Sequence, residues 1–507
     1  MIGSRRSRWR GRAGCCLALA LALPAGPGRA EEAAGGARPP LEPIPTFAYR
    51  DPQPGPYRLR AGLELLTFQA ISFAGYLVVD PKPSIPGLPD PMTPWDKLLF
   101  KQYTWLFEAD DIRHNYYGHP LAGMLYHLTA RGNRLSVLES WLWTTASSLV
   151  WELAEYHEPV SINDMVTTSL GGIAIGEPIT QLSAFVERSG TGGALAWLAF
   201  PKKVHDLIDG ARPAQLPDPG WHEFRAFTGV GPLWQGSGEP RLAFQASLVT
   251  GIFRLAGYGA PGRGTSSLGD AEMSRLGLSL TYGGGGLLDA RFRSGVSLWG
   301  LYHRDILGEG VDRRGSDLFL GTTASFDYQY HQEQLPAAVR GDQMILLQVP
   351  GAELDYRAFA GSLALRARAR AALTFGGVRP LAFDGTAALP PGVVVPEVMS
   401  RQGYYHSGGF AVGVELGVDL GPAGLSGGVG YDRVWAFQGL EGIPVPGTRV
   451  EISDARLEAG ALATVRLGGS GVEVLARWDR RVRRGDLGAS AREVGDDLLV
   501  AGMAMVF

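Results

Sequence analysis

From about Leu242 to the carboxy terminus, apolar and polar side chains alternate one by one, in segment after segment. Phe410, Val412, Val414, Leu416 and Val418 interleave with Ala411, Gly413, Glu415, Gly417 and Asp419. The stretches 276–282, 288–292, 326–330, 457–465 and 472–478 repeat the pattern, with Leu462 and Leu475 as minor breaks. Successive side chains on a strand point to opposite faces, so each segment has one oily side and one side of glycine and mixed charge.

Two architectures satisfy this period. A soluble sandwich turns its oily faces inward, and a membrane barrel turns them out. Segments of roughly 10 to 15 residues are long for a sandwich and suit tilted membrane strands of about 9–11 residues with extensions. Aromatics gather near segment ends (Trp299, Tyr302, Tyr328, Tyr330, Trp435, Phe437, Trp478), as an interfacial girdle does. The polar face suits a narrow lumen. About eleven strands can be drawn between Leu242 and Phe507, and closed single-chain barrels have an even number. The twelfth comes from 222–229 or from a different division of 354–375, so twelve strands are expected, with ten as the alternative. The Pro-rich stretch 378–402 reads as a loop.

The ends of the chain agree. Leu499, Ala501, Met503, Met505 and Phe507 share one face of the last strand, which stops on the aromatic. This resembles the closing strand of bacterial outer-membrane β-barrels, and the resemblance implies outer-membrane lipid and the barrel insertion machinery, reading Phe507, as partners. At the other end, Arg5, Arg6, Arg8, Arg10 and Arg12 precede a short apolar run and a small-x-small site ending at Ala30. That is an export signal cleaved near Ala30, its apolar run too short for a span of ~20 residues. Arg5-Arg6 hints at twin-arginine export, but a barrel must cross unfolded, which favours the general secretory route. Cys15 and Cys16 both lie inside the signal, so the mature chain has no thiolate for zinc and no disulfide. Removing residues 1–30 takes away six arginines and no acid, leaving 41 basic against 50 acidic side chains. Such a balance excludes nucleic acid as a partner.

Composition divides the rest. All five lysines precede residue 220, and most of the 71 glycines follow it. The expected class is therefore α+β: a signal at 1–30, a Pro-rich linker at 31–57, an all-helical domain at 58–205, a linker at 206–240, and an antiparallel transmembrane β-barrel at 241–507. The stretch 59–79 is apolar enough to imitate a membrane span but holds Arg60, Glu64 and Gln69. A span there would arrest the chain in the inner membrane, so a buried or membrane-surface helix is the consistent reading. Helices are further expected from Pro120 to about Arg131, ended by Gly132-Asn133, and from about Leu135 to Tyr156. Ser161 to Asp164 reads as a capping box, with Asp in place of the commoner Glu. Gly171-Gly172 and Gly176 mark close packing or a helix break.

The run Asn115-x3-His119-Pro120, Arg131, Trp151-Glu152, Ser161-x2-Asp164 and Gly171-Gly172 resembles the bacterial domain-of-unknown-function family 3943, over roughly residues 110–181. The resemblance implies an envelope location and no established activity. Within it, His114, His119, His127, Glu152, Glu155, His157 and Asp164 are ample for acid–base or metal chemistry. Ser147, Ser148 or Ser161 would be the nucleophile of a hydrolase. No HExxH or GxSxG spacing supports either. Glu152 on an apolar helix needs a partner, for which Arg131 is the candidate, so a structural polar network is the preferred reading of His114, His119, Arg131, Glu152, Ser161 and Asp164. No metal or cofactor is expected.

In the barrel, Arg366, Arg368 and Arg370 form a basic ladder on one strand, with Glu415 and Asp419 also facing the lumen; ion pairing is the preferred role and anion selection the sharper one. Taken together, the chain is expected to be an outer-membrane barrel with a helical domain on the periplasmic side or plugged into the lumen. Its work would be structural, or passing or binding a small solute or lipid. A membrane-embedded hydrolase acting on lipid or lipopolysaccharide is the alternative.

Overall fold

The computed structural model describes residues 42–43, 55–79, 92–155, 158–189, 193–210, 221–236, 238–255, 257–334, 339–383, 393–440, 447–488 and 490–506. The signal segment with Cys15, Cys16 and Ala30, most of the linker, His157 and Phe507 lie outside the described residues. Residues 43–507 form one compact unit.

Twelve antiparallel strands close into a barrel: β1 (Trp221–Gln235), β2 (Arg241–Phe253), β3 (Met273–Gly283), β4 (Gly286–Leu307), β5 (Arg314–Gln334), β6 (Val339–Ala360), β7 (Leu363–Val378), β8 (Tyr405–Leu420), β9 (Ala423–Ala436), β10 (Ile452–Arg466), β11 (Val472–Leu487) and β12 (Ser490–Val506). Each pairs with its chain neighbour, and β12 closes on β1 with Val506 opposite Arg225 and Leu498 opposite Leu233. Closure leaves no strand edge unpaired, which is what allows a sheet to sit in hydrocarbon. An extra strand, Gly262–Leu268, extends the wall by pairing with the far half of β4. The expected count of twelve is correct. The linker assigned to 206–240 is not: β1 lies inside it, because its glycines and Pro232 hide the alternation of Phe224, Ala226, Thr228 and Val230.

The parity read from sequence is the parity of the wall. Leu416, Leu425, Met503 and Met505 are all more than half exposed on the outside, while Glu415 and Ser426 beside the two leucines, and Leu498 at the opposite parity of the methionine strand, line the interior. One rim carries both barrel termini, the connection between β2 and β3 and the turns 308–313, 361–362, 421–422 and 467–471; the opposite rim carries the two-residue turn 284–285 and the connections between β7 and β8 and between β9 and β10.

The amino-terminal region is helical: α1 (Arg58–Val79), α2 (Pro94–Leu98), α3 (His119–Gly132), α4 (Val137–Ala154), α5 (Ile162–Gly171), α6 (Glu177–Arg188) and α7 (Phe200–Ile208). Pro120 sits in the first turn of α3, and Ser136 with Glu139 forms a capping box on α4. The five residues Gly172–Gly176 form a π-helical stretch that joins α5 to α6. Close packing explains its glycines. A Cβ on Gly123 of α3 would lie 1.9 Å from the Thr168 carbonyl oxygen, and one on Gly172 would lie 2.8 Å from Thr144 Cγ2.

The helices neither plug the lumen nor hang below it. They pack against the outer wall. Ala324 and Phe326 share the outward parity of the half-exposed Leu320, yet both are buried in a cluster with Ile173, Ala174 and Ile175. Leu182 and Phe185 cover Ile252, Phe224 and Leu276 near the termini rim. Tyr116 lies on Gly377 near the opposite rim, where a Cβ would be 2.3 Å from its ring. The expectation of a lumenal plug fails for one reason: strand parity says which side chains face out, and not whether lipid or protein covers them. Nor is α1 buried, since most of its apolar side chains are exposed.

Candidate functional site

A polar layer lies at the opposite-rim end of the helices. Ser161 caps α5, its Oγ accepting from the Asp164 amide at 3.3 Å. The returning arm of the expected capping box is replaced. The Ser161 amide donates to Glu152 Oε2 at 2.7 Å, reaching across from α4. Asn163 donates to Asp164 Oδ1 at 2.8 Å and accepts from the Glu108 amide at 2.7 Å. His119 meets Thr168 Oγ1 through Nδ1 at 3.2 Å and Asp164 Oδ1 through Nε2 at 3.4 Å. The exposed His114 stacks edge-on against it, ring centres 5.0 Å apart. Buried Lys97 donates to the carbonyl oxygens of Glu152 and Glu155.

Burial governs the electrostatics of this layer. It lifts the Asp164 carboxyl to about 6, against hydrogen bonds from Glu108 and Ser161 that favour the anion. It lifts Glu152 well above the carboxylate range, helped by the negative charges of Asp164 and Glu155. It lowers Lys97, whose charge is favoured in turn by Glu155, Glu152 and Glu158. Burial thus favours the neutral form of both carboxyl groups over that of an exposed acid. Among the described residues, no His, Cys, Asp and Glu cluster could hold a metal ion.

The barrel reads the same layer. His406 of β8 donates from Nε2 to the Glu108 carbonyl at 2.8 Å, so its Nδ1 accepts from the Tyr116 hydroxyl at 2.7 Å. Tyr404 accepts from Asn115 at 2.8 Å and donates to the Asp110 carbonyl at 2.7 Å. Glu108, Lys97, Asn163, Tyr404 and His406 were not among the sequence candidates. Nothing local marks them, because their partners stand far away in the chain.

A second polar layer lies toward the termini rim, and it corrects the role expected for Arg131. Its Nε is 2.9 Å from Glu177 Oε2, and its Nη1 donates to the Leu135 carbonyl at 2.6 Å. Fully buried His127 meets the same carboxylate at 3.0 Å. Burial raises the Glu177 carboxyl, but Arg131 and His127 overcome it and hold the group at about 2. Arg131 cannot serve Glu152. It bonds Leu135 just before α4 begins, whereas Glu152 is near the end of α4, fifteen residues and about 22 Å further along. The candidates therefore divide: His119, Glu152, Ser161 and Asp164 come together with His114 at their edge, and Arg131 belongs elsewhere.

The lumen holds a third set. Arg366 and Arg368 reach Asp355 and Glu353 at 3.3 Å, and Arg275 also binds both acids. Glu415 is 3.9 Å from Arg368. Asp419 sits beside Gly424, whose hydrogen leaves room for its carboxylate. Arg370 lines the cavity and forms no ion pair among the described residues. The ladder is thus neutralised at two rungs and open at one. Deeper in, Arg456 joins Asp327 at 2.8 Å and Asp432 at 2.7 Å. A cavity of about 600 Å³ remains, lined by strand residues alone. Inward apolar clusters narrow both ends: Trp221, Phe253, Tyr258 and Tyr302 at the termini rim, and Met344, Leu346, Met399 and Tyr405 at the other.

With this geometry in view, one comparison is decisive for the helices. Residues 104–200 match the domain of unknown function DUF3943. The DUF3943 match takes in Glu108, His119, Glu152, Ser161 and Asp164 of the opposite-rim layer, Glu177 and the whole of α3 to α6, and leaves out Lys97, Tyr404 and His406. No curated protein matches the chain. Among solved structures, the chain is similar to the β domain of the Bordetella autotransporter BrkA, at 14% identity, 56% of this chain, 99% of that one and a TM-score of 0.22. It is similar to the translocator domain of the autotransporter NalP from Neisseria meningitidis, at 14% identity, 60% and 94% coverage and a TM-score of 0.20. Outer membrane phospholipase A from Escherichia coli aligns at 11% identity, 56% and 92% coverage and 0.21. At such values the barrel stands on its own strand pairing.

Proposed function

We propose that the protein is an outer-membrane β-barrel, exported by its amino-terminal signal and inserted through its last strand, that binds a small polar solute in a lumen closed to free diffusion. The observation that carries this is the cavity of about 600 Å³, charged in its middle, narrowed by apolar clusters at both rims and lined by Arg370, a guanidinium that forms no ion pair among the described residues. A ladder paired to Glu353 and Asp355 supports binding over conduction, because its charge is already spent on neighbours. The longest connection, between β7 and β8, supports an outside position for the opposite rim and its acidic layer, with the termini rim periplasmic.

Planar bilayers in potassium chloride test closure: silence is expected, and a steady open conductance overturns it. Inorganic phosphate or citrate should raise the melting temperature of the wild type and not of Arg370→Ala, and equal shifts remove the lumenal site. The hydrolase alternative keeps one supporting observation, His119 Nε2 3.4 Å from Asp164 Oδ1 in a layer where burial raises the carboxyl groups of Asp164 and Glu152. Against it, Ser161 Oγ is occupied as a cap. If His119→Ala changes lipid composition while abundance and fold are unchanged, the enzyme reading replaces the binding one.

A further inference from the structure

We propose that the outer face of the helical bundle is bathed by the acyl chains of the same bilayer that surrounds the barrel, so that α1, α3, α4 and the α5–α6 rod cross or line the membrane beside the β-wall. The inference rests on the outer-membrane reading above and goes beyond it.

Position makes the first argument. The bundle covers the wall from Phe224 and Ile252, at the termini rim, to Gly377 and His406, near the opposite rim. A layer of helices standing along that height occupies the depth at which lipid meets the remaining strands. The second argument is the surface it presents. Leu63, Leu66 and Ile71 of α1 are 57–67% exposed, and Leu142 and Val150 of α4 and Leu121 of α3 are 43–52% exposed. This face continues the belt of half-exposed outward leucines and methionines on the barrel, and a patch of that extent in water is an association liability.

Charge is the third argument. The buried ionisable groups described above fall into two polar layers. Asp164 and Glu177 mark them on the α5–α6 rod, thirteen residues apart, which is about 20 Å of helix rise. The apolar band of outer-membrane barrels is about 25 Å tall. Between the layers α1 carries no charge; its amide side chain, Gln69, is buried and bonded to the Ser147 carbonyl at 3.0 Å, and the exposed Thr67 hydroxyl donates to the Leu63 carbonyl of its own helix at 2.7 Å, leaving Ser72 as a further small hydroxyl on the helix. By length and composition α1 can cross a membrane. Arg58, Arg60 and Glu64 keep its first two turns in the termini-side layer, where Arg60 pairs with Asp209 at 2.8 Å and Glu64 with His205 at 2.9 Å. These charges weaken α1 as a stop signal in the inner membrane, and its packing on α3 and α4 leaves its outer face open.

The test uses the full chain with Cys15→Ser and Cys16→Ser, reconstituted in phosphatidylcholine vesicles. Single nitroxide labels go on Ile71→Cys and Leu142→Cys in the bundle, on Leu416→Cys of the barrel wall and on Gly284→Cys in a turn. Collision with oxygen and with a water-soluble nickel chelate is measured for each. Ile71 and Leu142 should resemble Leu416, with collision rates for nickel at least tenfold below those at Gly284. If Leu416 is shielded from nickel while Ile71 and Leu142 are open to it, the bundle stands outside the bilayer and the proposal falls while the barrel reading survives. If Leu416 is itself open to nickel, both fall together.

Discussion

Arg131→Ala is the most informative single change in the helical region. The side chain places Nε 2.9 Å from Glu177 and Nη1 2.6 Å from the Leu135 carbonyl, and Glu177 is fully buried. Truncation leaves a carboxylate with His127 and Gln181 as its remaining partners. Stranding one member of a buried ion pair costs about 3–5 kcal/mol. Replacing both members, as Arg131→Met with Glu177→Met, should recover most of that loss, because the desolvated charge goes with its partner. The assay is urea unfolding in detergent micelles followed by the fluorescence of Trp141, Trp143 and Trp151 on α4, with barrel integrity checked separately by heat-modifiable gel mobility. The pair should couple by more than about 1 kcal/mol in a double-mutant cycle, while Arg131→Ala and Glu152→Ala add within about 0.5 kcal/mol. Stronger coupling of Arg131 to Glu152 than to Glu177 would refute the layered arrangement of the two polar sets.

Three further outcomes follow from the same geometry. Asp164 has a folded pKa of about 6 against 3.8, so its contribution to stability is full below 3.8 and lost as pH rises through about 6; that rise corresponds to about 3 kcal/mol at most. The bundle's urea midpoint should therefore increase from pH 7.5 to pH 5, and Asp164→Asn should flatten the response. In the barrel, Arg456→Met leaves the carboxylates of Asp327 and Asp432 without their shared cation and should cost about 3–5 kcal/mol, read as lost heat-modifiability. Gly123→Leu forces a side chain against the Thr168 carbonyl, and overpacking of this kind costs about 1–3 kcal/mol or more; protease cuts within α3 or α5 should appear while β1 to β12 remain resistant.

Much of the site's local chemistry was readable in the chain. Ser161 caps its helix as its spacing to Asp164 suggests, Pro120 opens α3, and Gly171-Gly172 and Gly176 lie where helices touch. The partner of Glu152 was not readable. A capping residue advertises itself within four positions, whereas the Ser161 amide and the carbonyl-bound Lys97 meet Glu152 through the fold of three separate segments. Arg131 was assigned to the nearer glutamate in the family motif, and helix length put the two at opposite ends of α4.

The amino-acid order alone determined a barrel, because a period of two over segments too long for a sandwich dictates two chemically distinct faces whatever surrounds them. It also favoured twelve strands over ten and gave the helical character of residues 58–205 in outline. Only the tertiary structure decided which part of the outward face is shared with helices, since Phe326 and Leu416 carry the same pattern and differ solely in what lies against them. It likewise decided that the Arg366 to Arg370 ladder is mostly neutralised, because Glu353 and Asp355 arrive from the neighbouring strand through register. Periodicity is a property of one strand; occupancy of its faces is a property of everything brought beside it.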